Sequence, residues 1–270
     1  YISAPAINMG EREMEWFAEA HGEWESVTGK PATYVSKKGG KTRRGLPHEL
    51  GSTGFGVALS TKVALAFKEI PLKNAQITIA GYGNVGMFAH KFLQEWGAKV
   101  VAISDSSGTI YDRNGLDYAK MSAAKTKTGS VLNYPATTTS KKLSREVIYE
   151  LSTDVLIPAA GPDVINEGNV DRVKAKIIVE GANIPMAEQF EKQLHRKDVL
   201  IIPDFVANAG GVISSYAEYK GYDAKKMFKL VEEKIVSNVE AMLATVAKTG
   251  RAPREAAIKI ARSRILAVKK

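Results

Sequence analysis

Three closely spaced glycines in the middle of the chain constrain its fold more than any other feature of the sequence. They are Gly81, Gly83 and Gly86, with the spacing G-x-G-x-x-G. Alone this spacing is a weak signal, because glycine is common and short motifs recur by chance. Here residues 77–80 alternate as in a strand, the residues after the glycines have the apolar period of a helix, and a second β-rich run follows at 99–103. The glycines therefore lie in one complete βαβ unit.

This unit predicts a dinucleotide-binding site. Gly81 permits the tight turn, Gly83 lets a pyrophosphate approach the backbone, and Gly86 lets the helix pack close to the strand. The N–H groups at the start of the helix hold the phosphates. Asp105 follows the second strand, where an acidic side chain can bond a ribose hydroxyl. The alternative is a glycine-rich turn that binds nothing; the glycines, the helix and the acid together favour binding.

Short apolar runs that predict strands alternate with helix-like stretches along the chain. The runs lie at 155–157, 177–179 and 199–202, and the helix-like stretches lie near 115–125, 143–151, 166–173 and 186–196. Strands that alternate with helices imply a parallel sheet covered on both faces. We therefore predict an α/β, Rossmann-type doubly wound fold with a mostly parallel sheet and additional C-terminal helices.

Helix signals mark both ends of the chain. Residues 8–11 resemble a capping box, and residues 53–69 have helical character. Asp223 caps a long helix that Gly250 stops, and Pro253 starts a last helix. We expect three parts: an N-terminal segment with a basic loop (1–50), a dinucleotide-binding Rossmann domain (51–205) and C-terminal helices that close the cleft (206–270).

The composition argues against several classes of site. The chain has no cysteine, which excludes disulfides, thiolate metal sites and cysteine nucleophiles, and suits a reducing cytoplasm. No apolar run approaches the length of a membrane span and no signal peptide opens the chain, so we expect no membrane partner. The histidines His21, His48, His90 and His195 are scattered, so we expect no metal site. We expect His90 on the exposed side of its helix, whereas His48, in a loop, is a functional candidate.

The formal net charge of +9 raises the question of a nucleic-acid partner. Much of the charge lies in the loop residues Lys37, Lys38, Lys41, Arg43 and Arg44, and in the terminal Lys269 and Lys270. No aromatic platform alternates with these residues, and no nucleic-acid motif is recognisable. A solvated surface that mildly favours anionic cofactors is the better interpretation.

Seven ordered blocks carry a resemblance to a known family. They are residues 3–8 (Ser-Ala-Pro-Ala-Ile-Asn), 52–57 (Ser-Thr-Gly-Phe-Gly-Val), 80–86 (Ala-Gly-Tyr-Gly-Asn-Val-Gly), 104–108 (Ser-Asp-Ser-Ser-Gly), 158–160 (Pro-Ala-Ala), 180–183 (Glu-Gly-Ala-Asn) and 203–216 (Pro-Asp-Phe-Val-Ala-Asn-Ala-Gly-Gly-Val-Ile-Ser-Ser-Tyr). Together they resemble the glutamate/leucine/phenylalanine/valine dehydrogenase family, most closely its glutamate dehydrogenases. The blocks do not include the family's amino-terminal substrate domain, so we expect the C-terminal, cofactor-binding part of such an enzyme.

The resemblance implies reversible oxidative deamination of L-glutamate to 2-oxoglutarate and ammonia, with hydride passing to NAD or NADP. We slightly favour NAD, because Asp105 would bond the ribose and repel a 2′-phosphate. The neighbouring serine hydroxyls, with Arg113, Lys125 or Lys127 close enough to neutralise the acid, would admit NADP as a second ligand. By resemblance, we expect the full-length protein to be a homo-oligomer, a hexamer.

The glycine motif and the resemblance together assign the site residues. The cofactor-binding set is Thr53, Gly81, Tyr82, Gly83, Asn84, Val85, Gly86, Ser104, Asp105, Ser106, Ala159, Ala160, Asn183 and Asn208. Ser215 matches the serine that bonds a glutamate side-chain carboxylate. Each has a simpler alternative: Thr53 could cap its helix, and Asn183 or Asn208 could satisfy the backbone of a turn.

One departure from the family pattern concerns catalysis. The family has an aspartate after Ala-Pro that shuttles a proton during imine hydrolysis, and here that position is Ala6, which cannot carry a proton. The family's substrate-polarising lysines belong to the domain outside these blocks. We therefore expect no catalytic residue in this chain. Two alternatives stay open, a related dehydrogenase for another amino acid and a catalytically silent dinucleotide-binding subunit.

Overall fold

The computed structural model describes residues 2–6, 9–37, 40 and 42–268, and its strands form two sheets. The small sheet pairs β1 (Val35–Ser36) with β2 (Arg43–Arg44). The central sheet contains β3 (Gln76–Ala80), β4 (Lys99–Asp105), β5 (Gly108–Asp112), β6 (Ser140–Leu143), β7 (Val155–Pro158), β8 (Ile177–Val179) and β9 (Leu200–Ile202). Its order is β6-β5-β4-β3-β7-β8-β9.

Five strands of the central sheet run parallel, from β4 through β3, β7 and β8 to β9. Their residues are nearly all buried, as expected for strands covered by helices on both faces. The edge strands β5 and β6 run antiparallel, and the two-residue turn Ser106–Ser107 joins β4 to β5. The predicted mostly parallel Rossmann-type fold is confirmed, and the antiparallel edge adds a feature that the apolar runs did not indicate.

Helices cover the sheet and form the C-terminal part. They are α1 (Glu11–His21), α2 (Ser52–Phe67), α3 (Asn84–Glu95), α4 (Tyr118–Thr128), α5 (Glu188–Arg196), α6 (Asp204–Ala207), α7 (Gly210–Tyr219), α8 (Ala224–Thr249) and α9 (Pro253–Val268). The cap of α8 agrees with the sequence, because the Asp223 side chain accepts from Lys226 N at 2.7 Å and Gly250 ends the helix at φ +65°. Helix α2 contacts α3, α7 and α8, so the largest hydrophobic core lies around it.

Apolar composition alone would allow one segment of the described chain, His48–Phe67, to span a membrane. Its mean hydropathy is 1.3, and 61% of it is buried inside the protein. Since α2 packs against three other helices, core packing accounts for its apolar character.

Two predicted helical stretches are shorter in the structure, for different reasons. The stretch near 166–173 contains only the 3₁₀ turn Val170–Arg172, because the side chains of Asn166 and Asn169 bond nearby backbone groups and compete with a helix. The stretch near 143–151 begins in strand β6, which pairs with β5, and its remainder is the 3₁₀ turn Arg145–Tyr149.

The start of α1 also differs from the expectation. The N-cap is Gly10, whose N–H donates to Glu13 Oε2 at 2.8 Å. Asn8, where the predicted capping box began, lies outside the described residues.

The expectation that His90 faces solvent is wrong. His90 is fully buried in α3, with Nδ1 2.8 Å from the Tyr82 hydroxyl and Nε2 2.9 Å from Leu116 O. A carbonyl only accepts, so Nε2 donates to Leu116 and Nδ1 accepts from Tyr82. Burial lowers the pKa of His90 to about 4, and the imidazole is therefore neutral. The error arose because the chain around Leu116 covers this side of α3, which helical periodicity does not reveal.

Candidate cofactor site

The glycine turn joins β3 to α3, and its three glycines have different roles. Gly81 has φ +104°, and a Cβ there would lie 2.5 Å from Ala160 N. A Cβ on Gly86 would lie 2.0 Å from Gly81 O. Gly83, the N-cap of α3, is exposed, and apart from its chain neighbours no described residue has an atom within 4 Å of its ideal Cβ position. Folding therefore requires Gly81 and Gly86, whereas Gly83 faces open space at the positive end of α3, which fits a pyrophosphate.

The residues after Gly81 contribute differently. The Tyr82 side chain is buried, and its hydroxyl forms a hydrogen bond with His90. The side chain therefore points into the protein rather than towards the open side of the turn. Asn84 is exposed, and its Nδ2 donates to His48 O at 3.1 Å. Val85 is half-buried, and its Cγ1 lies 3.3 Å from the Cβ position of Gly181. The turn thus contacts both the loop before α2 and the loop after β8.

Thr53 lies in the first turn of α2, where that helix crosses the start of α7. The N-cap of α2 is Gly51, so Thr53 does not cap the helix. A Cβ on Gly211 would lie 2.7 Å from Thr53 Oγ1, and a Cβ on Gly210 would lie 2.1 Å from Ser52 O. The two glycines allow the close approach of α7, and Ser215 lies on the same helix, half-buried.

Loops at the carboxyl ends of β7, β8 and β9 complete this edge of the sheet. Ala159 and Ala160 follow β7, and Ala159 N donates to Ala80 O at 2.7 Å. Asn183 follows β8 and is exposed. Asn208 follows α6, and its Nδ2 donates to Asn183 Oδ1 at 2.7 Å. Since β3 lies between β4 and β7, the chain reverses its direction of winding beside the glycine turn, which is where doubly wound folds bind ligands.

Asp105 lies at the end of β4, in a group that we call the Asp105 corner: Ser104, Asp105, Ser106, Ser107, Lys125, Ser130 and Val131. Oδ1 accepts from the N–H and the hydroxyl of Ser107, and Oδ2 accepts from Lys125 Nζ at 2.6 Å and Val131 N at 2.9 Å. Burial raises the pKa of Asp105, but the bonds from Lys125, Ser107 and Val131 outweigh it and hold the pKa below its ordinary value. A carboxylate accepts about four hydrogen bonds, so a ribose hydroxyl would have to displace one of these partners.

The other members of this corner have distinct surroundings. Ser104 is buried, and its carbonyl accepts from Gly81 N at 3.0 Å. Ser106 is exposed at the tip of the turn. Of the three cations expected to neutralise Asp105, Lys125 forms the ion pair, whereas Arg113 lies beside Asp112.

Pro5, which precedes Ala6, and His48 both lie near Gly29. A Cβ on Gly29 would lie 2.6 Å from the Pro5 ring and 3.5 Å from the His48 ring. His48 Nε2 is buried and lacks a hydrogen-bond partner within the described residues, and burial lowers the pKa of this histidine. The methyl group of Ala6 supplies no proton donor or acceptor. In the described part of the chain no group of three His, Cys, Asp or Glu side chains could hold a metal ion.

Two groups of buried charges escaped sequence reasoning. Lys30 and Glu218 are fully buried side chains that form an ion pair at 2.6 Å, and Glu218 Oε2 also accepts from Gly29 N and Leu46 N. They fasten the N-terminal segment to α7. The second group surrounds Arg254 beneath the loops of Asn183 and Asn208. No local sequence pattern indicates either group of charges, because the partners are far apart in the chain.

Comparison with known proteins agrees with the Rossmann-type fold. The family model of the Glutamate/Leucine/Phenylalanine/Valine dehydrogenases matches residues 45–270. The chain therefore belongs to this family.

Similar proteins include several glutamate dehydrogenases. The chain is 41% identical over 254 residues to the glutamate dehydrogenase of Aeropyrum pernix, covering 90% of this chain and 58% of that protein. It is 38% identical over 218 residues to the NADP-specific glutamate dehydrogenase of Saccharolobus shibatae, covering 81% and 50%. The hetero-hexameric glutamate dehydrogenase of Thermus thermophilus in its leucine-bound form superposes with a TM-score of 0.82 at 25% identity, covering 97% and 62%. The chain thus spans little more than half the length of the curated relatives it matches.

Proposed function

We propose that this chain is the NAD(P)-binding part of an amino-acid dehydrogenase that converts L-glutamate and water reversibly to 2-oxoglutarate and ammonia. The observation that carries the proposal is the open space at Gly83, at the N-terminus of α3, between two glycines that the fold itself requires. Family membership supports the class of reaction, and the names of the matched relatives support glutamate as the substrate.

In the proposed reaction, the residues of this chain bind and orient the cofactor and the substrate. The N–H groups at the start of α3 hold the pyrophosphate. Thr53, Asn183 and Asn208 orient the nicotinamide half, and Ser215 orients the side-chain carboxylate of glutamate. When bound, the cofactor accepts the hydride that leaves the substrate Cα.

Cofactor choice depends on the Asp105 corner. Because Lys125 and three hydrogen bonds satisfy Asp105, its charge repels a 2′-phosphate less than a free carboxylate would. Relatives named NAD-specific and NADP-specific both match this chain. We propose that both cofactors bind.

Replacement of Gly83 tests the binding site. Gly83→Val should abolish calorimetric binding of NADH, because the side chain fills the space that the pyrophosphate needs. Its melting temperature should stay near that of the parent, since the described part of the chain, apart from the two flanking residues, leaves open space within 4 Å of the Cβ position. Gly86→Val is the opposite case, because its side chain meets Gly81 O and should lower the melting temperature. Unchanged NADH affinity in Gly83→Val would refute the site.

Ala6 favours a second candidate function, a catalytically silent dinucleotide-binding subunit. If Ala6 is the only deficiency of a full-length enzyme, Ala6→Asp should raise glutamate oxidation roughly 10²-fold or more, the scale of a positioned proton carrier. Stopped-flow measurement of NADH formation would decide. A full-length parent that oxidises glutamate at rates unaffected by Ala6→Asp moves its protons by another route, and one without activity in either form supports the silent subunit.

A further inference from the structure

The residue after Asn183 has an unusual backbone conformation. Ile184 has φ +49°, in the left-handed region that β-branched residues rarely adopt. Its side chain is 59% exposed, so packing of the isoleucine does not hold it there. Such conformations persist only where surrounding contacts impose them, and they cluster at functional sites.

Hydrogen bonds to the backbone hold Ile184 in this conformation. Ile184 N donates to Asp204 Oδ2 at 2.9 Å, and Ile184 O accepts from Asp163 N at 3.0 Å. Asp204 also begins α6, and its carbonyl accepts from Asn208 N at 2.8 Å. One aspartate therefore fixes the backbone beside both asparagines, whose side chains bond each other at 2.7 Å.

Arg254, from α9, fixes Asp204 in turn. Its Nη2 lies 2.9 Å from Asp204 Oδ1 and 3.0 Å from Glu180 Oε2, and its Nε donates to both oxygens of Glu191 at 2.8 Å. The three carboxylate side chains are at most 10% exposed. Glu180 Oε2 also accepts from Asp204 N at 2.8 Å. Removal of the guanidinium would leave buried carboxylates without their common partner.

The protonation states fit this arrangement. Burial, with Glu191 nearby, raises the pKa of Glu180 to about 9, which favours its protonated form at neutral pH. Burial lowers the pKa of Arg254, but its bonds to Glu191 and Asp204 outweigh it and raise the pKa, so the guanidinium stays charged. One cation thus faces two carboxylates, Glu191 and Asp204.

We propose that Asp204 and Arg254 are positioning residues for the nicotinamide end of the cofactor cleft. Asp204 holds Ile184 in the left-handed conformation, and this conformation places the Asn183 side chain beside Asn208. Arg254 in turn fixes the Asp204 carboxylate. The proposal rests on the proposed function, in which these asparagines orient the nicotinamide half. It predicts that damage to Asp204 weakens contacts with the nicotinamide and its ribose and leaves contacts with the ADP half of the cofactor intact.

Two ligands separate these contacts: NADH, and ADP, which lacks both the nicotinamide and its ribose. Asp204→Ala should weaken calorimetric binding of NADH about tenfold or more, the scale of a hydrogen bond to a charged group, and leave ADP affinity unchanged. Adding Ile184→Gly should restore much of the NADH affinity, because glycine adopts positive φ without support. Asp171→Ala, which removes an exposed carboxylate paired with Lys197, is the matched control and should change neither affinity.

A second variant covers the case in which Asp204→Ala does not fold. Ile184→Pro forbids positive φ and removes the donor at an exposed position, so it should weaken the binding of NADH but not that of ADP. Equal loss of both ligands in Ile184→Pro, unchanged NADH affinity in a folded Asp204→Ala protein, or no recovery with Ile184→Gly would each overturn the positioning role. A parent protein that binds neither ligand would instead refute the proposed function.

Discussion

The Asp105 corner and the group around Arg254 both lie at the carboxyl edge of the sheet, but they are built differently. Asp105 takes its partners from nearby in the sequence, since Ser107, Lys125 and Val131 lie 2, 20 and 26 positions away. Arg254 instead joins residues 50 to 74 positions away, from three separate elements. We call Glu180, Glu191, Asp204 and Arg254 the Arg254 cluster.

The Asp105 corner and the Arg254 cluster also differ in their exposure to solvent. The Lys125 side chain is 25% exposed, so water screens its pair with Asp105. Glu180 is fully buried, and no partner for its Oε1 is present among the described residues. A locally built, partly exposed corner can adjust to different ligands at little cost in stability. A buried cluster formed by distant elements fixes loops in place, and it fails as a unit when one member is removed.

The largest expected effect compares the loss of one cation from each region. Arg254→Met should lower the free energy of unfolding by about 3–5 kcal/mol, because it leaves buried carboxylates uncompensated. Lys125→Met should lower it by about 1 kcal/mol or less. Urea unfolding of both variants at pH 7 measures the difference. Equal losses would show that the distinction between the two regions has no energetic basis.

The next effect concerns pH, because two buried groups, His90 and Glu180 of the Arg254 cluster, change stability with pH in opposite directions. His90, behind the glycine turn, has a pKa of about 4 against 6.5 in an unfolded chain. Between these values the unfolded state binds a proton that the native state does not. Stability should therefore fall as pH falls from about 6.5 to about 4, by up to about 3 kcal/mol. Glu180 has a raised pKa, so between about 4.5 and about 9 the native state binds a proton that the unfolded state does not. Its contribution to stability therefore changes with pH in the opposite direction, and stability falls as pH rises through this range.

Substitution of each group isolates its contribution. His90→Asn should flatten the decline between pH 6.5 and 4, even if the variant is less stable at pH 7, and Glu180→Gln should flatten the decline on the alkaline side. Urea unfolding across both windows measures the slopes. An unchanged acid slope in His90→Asn would mean that the pKa of His90 is not lowered in the native protein.

Local patterns predicted the parts of this molecule that local interactions determine. The glycine turn, the Asp223 cap and the Gly250 stop each depend on neighbouring residues, and each is present where the sequence indicated. The sequence also indicated Arg113, Lys125 and Lys127 as cations that could neutralise Asp105, and of these three Lys125 forms the ion pair.

Contacts between distant elements were not predictable in this way. Nothing around Arg254 in the sequence indicates partners in the loops after β8 and β9, and nothing around Ile184 indicates a left-handed backbone. The burial of His90 likewise depends on a segment that begins 26 positions later. Short edge strands such as β6, with exposed lysines at 141 and 142, lack the apolar run that marks a buried strand.

The smallest expected effect tests whether the Asp105 corner adjusts to the ligand. Lys125→Met removes the cation paired with Asp105 and opens one acceptor position on its carboxylate, which can then accept a ribose hydroxyl and repels a 2′-phosphate more strongly. The affinity for NADPH should fall about tenfold relative to that for NADH, the scale of one charged hydrogen bond. Fluorescence titration with both reduced cofactors gives the ratio. Lys127→Met, on the same helix, removes a charge of the same sign and should leave the ratio unchanged; an equal shift in both variants would assign the effect to the general field of the protein rather than to the corner.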